Sequence, residues 1–261
     1  MISSQSHPLF YLLSITSIIL GIVSPCAGAT FNAKTRFRWV DSSCDSVIDR
    51  VNDAGDDFIS LVRAAIANLE DGSPTSELGK GTLLTYFGTP VGQRIHLKYT
   101  QLLQSFQEQP IGLGLYCDGS AFEWVTTYQE GDLKGQPVLN GGQWHAKEGR
   151  YNPAEGALYL DGTMTPQRSH ICQTPEGKTT QGVSLKKGKH IILCPDAFRE
   201  PVHRTMPTSE QTIGTSLDTL ASTGAVLLHE ATHCRLRTVD ITGGYMVNGV
   251  LLTTYLDPSK A

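Results

Sequence analysis

Nine consecutive residues constrain this chain more than any other stretch: Ala225-Val226-Leu227-Leu228-His229-Glu230-Ala231-Thr232-His233. An apolar run leads into H-E-x-x-H, the pattern of a core helix that ends in chemistry. Residues four apart on a helix share a face, so His229 and His233 present two imidazole nitrogens to one metal ion. Glu230 follows the first histidine, from where its carboxylate reaches a water on that metal rather than the metal itself. Zinc lowers the pKa of such a water, and the glutamate takes its proton as the water attacks a carbonyl.

A catalytic zinc needs three protein ligands and one open position. After His233 the chain has no further histidine or glutamate, which removes the metzincin extension and a downstream glutamate ligand. The carboxylates left are Asp240 and Asp257. Asp257 sits beside Pro258 near the end and reads as solvated. Asp240 precedes Gly243-Gly244, read as a turn that folds the chain back under the helix. Cys234 adjoins His233, but neighbouring helical residues point about 100° apart. The expected ligands are therefore His229, His233 and Asp240, holding one Zn²⁺ per chain.

H-E-A-T-H followed by Thr238-Val239-Asp240-Ile241-Thr242-Gly243-Gly244-Tyr245 resembles the aspzincin metalloendopeptidases, the fungal deuterolysin and peptidyl-Lys metalloendopeptidase group. Thr238, Asp240 and Gly244 fall on the second motif of that family. Arg237 and Gly243 replace its first glycine and its tyrosine. The resemblance implies a zincin-like metalloprotease domain of α+β class, with helices, a small mostly antiparallel sheet and an active-site helix near the C-terminus. It implies protein or peptide substrates, Glu230 as general base, and a transition-state role for the nearby Tyr245. A tyrosine packed beside a turn is the equal alternative for Tyr245.

Residues 1–29 carry no Lys, Arg, Asp or Glu. An apolar run from Leu9 is followed by Ser24-Pro25-Cys26-Ala27-Gly28-Ala29, a breaker and a small-x-small cleavage site. That is the layout of a secretory signal peptide. Residues 30–261 then form one domain, secreted, monomeric and not held in a membrane after the leader is removed. The net charge of −4, without basic runs, gives no footing for nucleic acid.

Cys26 leaves with the leader, so an odd set remains in a disulfide-permitting compartment. Cys172 with Cys194 is the expected pair, then Cys44 with Cys117. Cys234 is left over and buried as a small hydrophobe.

Between leader and motif, Val47, Val51, Ala54, Phe58, Leu61, Ala65 and Leu69 recur at helical steps over 44–69. The opposite face, with Asp45, Asp49, Asn52, Asp53, Asp56 and Asp57, reads as solvated. Residues 82–88 read as a helical turn. A second helix follows Pro90, with Val91, Ile95, Tyr99, Leu102, Leu103 and Phe106 on one face. Glycine and proline then punctuate short apolar runs, predicting strands over 111–117, 121–127, 156–160 and 190–194, with a turn-rich connection over 173–187. One edge of their sheet is expected to face a substrate cleft, because peptides bind proteases by adding a strand to such an edge. His96, His145, His170, His190 and His203 show no ligand spacing and read as structural or surface residues. Trp124 and Trp144 read as core. The metal helix is expected over 217–234, capped by Asp218 or Ser222, with Gly224 letting it close on the sheet.

A second reading belongs to another class. It is a secreted zinc-binding antigen or host-interaction protein of the same fold, without turnover, motivated by Arg237 and Gly243.

Overall fold

The computed structural model describes residues 30–69, 92–107, 110–154, 159–160, 170–173, 177–184, 189–200, 202–205, 221–236, 243–247 and 250–254. The leader, the turn at 82–88, Asp218, Asp240 and Asp257 lie outside them. The class is α+β. Among the described residues, no helix is long and apolar enough to cross a membrane.

The helices are α1 (Ala33–Arg36), α2 (Ile48–Leu69), α3 (Gly92–Gln107) and α4 (Thr223–Leu236). Asn32 caps α1 by accepting from the Lys34 N–H at 3.0 Å. Asp41 caps a 3-10 segment, Ser42–Val47, that leads into α2. The periodic face of α2 is buried as its spacing predicts: Val51, Ala54, Phe58, Leu61 and Ala65 all enter the core. It meets Leu102 and Phe106 of α3, where Phe58 and Phe106 stack at 4.0 Å. It also meets Ala225, Val226 and Leu227 of α4.

Among the described residues the strands form two sheets and a hairpin rather than a single sheet, and four of their six pairings are antiparallel. A mixed sheet runs in the order β1 (Trp39–Val40), β2 (Gly114–Tyr116), β7 (His190–Leu193), β6 (Gly182–Ser184). The β1–β2 and β2–β7 pairs are parallel, and β6 is antiparallel to β7. A separate antiparallel sheet holds β3 (Phe122–Val125), β4 (Gln143–Ala146) and β5 (Tyr159–Leu160). A hairpin joins β8 (Gly243–Val247) to β9 (Val250–Thr254). Parallel neighbours need long crossovers, and here α2 with α3, then the whole second sheet, supply them. Strands of two to four residues carry too little pattern to announce such pairings.

The mixed sheet is the middle layer. Leu113, Leu115, Ile191 and Leu193 join the helical core, while Tyr116 and Ile192 join Phe122, Trp144 and Ala146 of the second sheet. This division follows the two-residue alternation of strand side chains. Trp144 is buried, and Trp124 meets it edge-on at 5.7 Å.

The acidic face keeps the solvated reading at Asp45 and Asp49, which are exposed, and departs from it further along α2. Asn52 Oδ1 accepts from Ala33 N–H at 2.8 Å, and Asp56 Oδ1 accepts from Phe31 N–H at 2.9 Å. Asp53 pairs with Arg204, and Asp45 with Lys34. Asp57 is buried and accepts from Ser222 Oγ at 2.5 Å. Asn52 and Asp56, facing backbone N–H groups, tether the chain at Phe31 and Ala33, and Asp57, facing the Ser222 hydroxyl, tethers the start of α4. Next to α2, Arg150 donates to both oxygens of buried Asp41 at 2.8 and 2.6 Å. Burial pushes the Asp41 carboxyl upward, but the hydrogen bonds from Arg150 and Ser43 outweigh it and hold it below the usual carboxylate range.

Cys44–Cys117 and Cys172–Cys194 are bridged, with Cα separations of 4.8 and 5.6 Å. Cys234 stays outside both, buried, with its thiol donating to the His190 carbonyl at 3.5 Å.

Gly224 closes α4 on α2, not on the sheet. A Cβ there would fall 2.5 Å from Asp57 Oδ2 and 2.9 Å from the Ala54 carbonyl oxygen. Glycine to alanine in a helix ordinarily gains about 1 kcal/mol. Gly224→Ala is expected to lose about 1–3 kcal/mol instead, by overpacking against a backbone that cannot yield. The midpoint of urea unfolding reads the sign directly.

Candidate metal centre

Helix α4 is buried nearly all round, as its apolar sequence requires. It begins at Thr223, later than expected, where Ser222 caps it. The Ser222 hydroxyl accepts from Ala225 N–H at 3.0 Å while donating to Asp57. Three layers of contact therefore fix the rotation of the helix: Gly224 against α2, Val226 and Leu227 in the core, and Ser222 locked to Asp57.

The four-residue step along the helix stacks His229 and His233 on one face. Their Nε2 atoms lie 3.1 Å apart, with ring planes at 89°. Zinc–imidazole bonds of about 2.0–2.1 Å would span that gap at an angle of about 100°, close to tetrahedral. The pair therefore fits a single small cation. His229 is more accessible than Glu230, with side chains 14% and 7% exposed. Glu230 Oε1 lies 4.0 Å from His229 Nε2. That distance sets the carboxylate beside the His229 nitrogen and beyond direct hydrogen-bond reach of it.

Strand β6 covers Glu230. It lies inside the stretch expected to be a turn-rich connection, and its three residues are too few to carry a strand period. Cys194 N–H donates to the Gln181 carbonyl at 2.8 Å, which sets the phase of the β6–β7 ladder. In antiparallel pairing, alternate residues turn their backbone groups outward. Gly182 and Ser184 therefore face away from β7. The Gly182 carbonyl accepts from Thr180 Oγ1 at 3.0 Å.

Asp240, the expected third ligand, lies outside the described residues. Tyr245 sits in β8 opposite Leu252. Gly243 and Gly244 are not a turn: they open β8, opposite Thr254 and Thr253. Among the described residues, no three His, Cys, Asp or Glu side chains converge in a way that could hold a metal ion. His145 is buried in β4 with Glu123 and Glu130 each 3.8 Å from a ring nitrogen. His170 accepts from Cys172 N–H at 3.2 Å. His190 is buried in β7, and the backbone of His203 bridges to Ala221 and Thr223. These are structural placements.

A cavity of about 410 Å³ runs along β1, lined by Lys34, Arg38, Trp39, Asp41 and Asp45 among others. It belongs to the edge of the mixed sheet opposite β6, so cavity and histidine pair lie at different edges.

Comparison with protein-family models, curated proteins and solved structures finds no match for this chain.

Proposed function

We propose that the chain is a secreted zinc metalloendopeptidase of the aspzincin type. One observation carries the reading: two histidine nitrogens converge at 3.1 Å, with a confined carboxylate 4.0 Å from one of them. His229 and His233 would hold the ion, with Asp240 as third ligand. A zinc bound there supplies Lewis acidity and brings a water's pKa toward neutrality.

The residues around it have definite tasks. Glu230 is the general base, within reach of a water lying between it and the histidines. The outward backbone groups of Gly182 and Ser184 offer an extended peptide a strand to join. Tyr245 is assigned to stabilising the charge that develops on the carbonyl oxygen. The leader at 1–29 and the two disulfides support an extracellular place of action.

The test is mass spectrometry of an unfolded protein incubated with the mature chain, beside a zinc titration. The expected result is one zinc per chain and discrete cleavage that a chelator stops and added zinc restores. Tight zinc binding without cleavage of any unfolded protein would sink the peptidase and favour the non-catalytic zinc binder.

A further inference from the structure

Gly182 stands where the Glu230 side chain needs room. A Cβ built on it falls 2.6 Å from Glu230 Oε1, 2.7 Å from Cγ and 2.8 Å from Cδ. Non-bonded carbon contacts are comfortable at about 3.5–4.0 Å. Any side chain at 182 would therefore overlap the outer half of the glutamate. The backbone gives no separate reason for glycine, since Gly182 is not among the positive-φ positions. Glycine inside a strand often marks the close approach of another group, and here that group is Glu230.

Resting on the peptidase reading, we infer that Gly182 is the positioning residue for the general base. Its missing side chain forms the slot between α4 and β6 that confines the carboxylate. Glu230 is 5% exposed, so it has little room to move elsewhere without leaving that position. Gly182 is fixed in the ladder opposite Leu193, whereas the glutamate is the end of a flexible chain. An added methyl group therefore moves the carboxylate and leaves the strand in place. The same residue also turns its backbone outward, which ties the base to the strand a peptide would join.

The experiment is a double-mutant cycle on the mature chain, using zinc affinity, cleavage kinetics and melting of the metal-free protein. Gly182→Ala is expected to lower kcat about 100-fold, the scale of an ångström of misplacement, with KM and zinc affinity near wild type. It is expected to lower the metal-free Tm by several degrees. In a Gly182→Ala/Glu230→Ala chain most of that Tm loss should disappear, because the overlapping atoms are gone. Contacting residues couple in this way and independent ones add. If Gly182→Ala does not fold alone, recovery in the double variant reads the same contact, and failure to recover overturns the inference. An active wild type with an equally active Gly182→Ala and additive melts also overturns it, leaving the peptidase intact. A wild type that binds zinc but cleaves nothing brings down the peptidase reading, and the catalytic role of Gly182 with it.

Discussion

Glu230→Gln is expected to cut the cleavage of unfolded protein by about 10³-fold, within the 10²–10⁴ range for loss of a general base. That corresponds to about 4 kcal/mol in the barrier. The substitution is informative because the amide has nearly the same shape as the carboxylate. It keeps the slot beneath Gly182 filled and leaves His229 and His233 untouched, so zinc content should stay at one per chain. What it removes is the capacity to accept a proton at Oε1. Single-turnover rates with metal content measured on the same sample separate the two effects. A variant that holds zinc and cleaves at the wild-type rate would place the base elsewhere. His229→Ala provides the contrast: it should lose the metal and the activity together, because half of the converging pair is gone.

The second large effect is expected from the disulfide between Cys44 and Cys117. The two cysteines are 73 residues apart, and in the chain-entropy account closing a loop of that length contributes about 4 kcal/mol. Replacing both by alanine should lower the free energy of unfolding by that order. The Cys172–Cys194 bridge spans 22 residues, and the same account gives about 3 kcal/mol. Urea unfolding of the two double variants should therefore rank them in that order. The contrast extends to the site. Cys44 lies in the 3-10 segment before α2, the helix against which Gly224 and Asp57 lock α4. Cys194 follows β7 and pairs its N–H with Gln181, next to Gly182. Loss of the short bridge is thus expected to disturb cleavage more than its stability cost suggests, and loss of the long bridge the reverse.

Much of the molecule was written locally. The helical face from Val51 to Ala65, the apolar body of α4 and the four-residue spacing of His229 and His233 depend only on the period of a helix, and each is found as the pattern predicts. The two disulfides join the expected cysteines and leave Cys234 outside, but their connectivity is settled only by the fold, since spacing alone does not determine it. Asp53, Asp56 and Asp57 depart from the solvated reading for a definite reason, while Asp45 and Asp49 stay exposed. A run of aspartates looks solvated until partners arrive from distant segments, and here Phe31, Ala33, Arg204 and Ser222 all do.

What the sequence by itself determined is therefore the chemistry: two imidazoles and a carboxylate on one helix, because helical spacing is a property of the chain alone. What only the tertiary structure decided is the setting of that chemistry. Parallel pairing of β1, β2 and β7, the phase of β6, and the contacts of Gly182 with Glu230 and Gly224 with Asp57 all join residues far apart in the chain. Contacts between distant segments leave no local period, so the glycine that makes room for the glutamate looks, in the sequence, like any other turn residue.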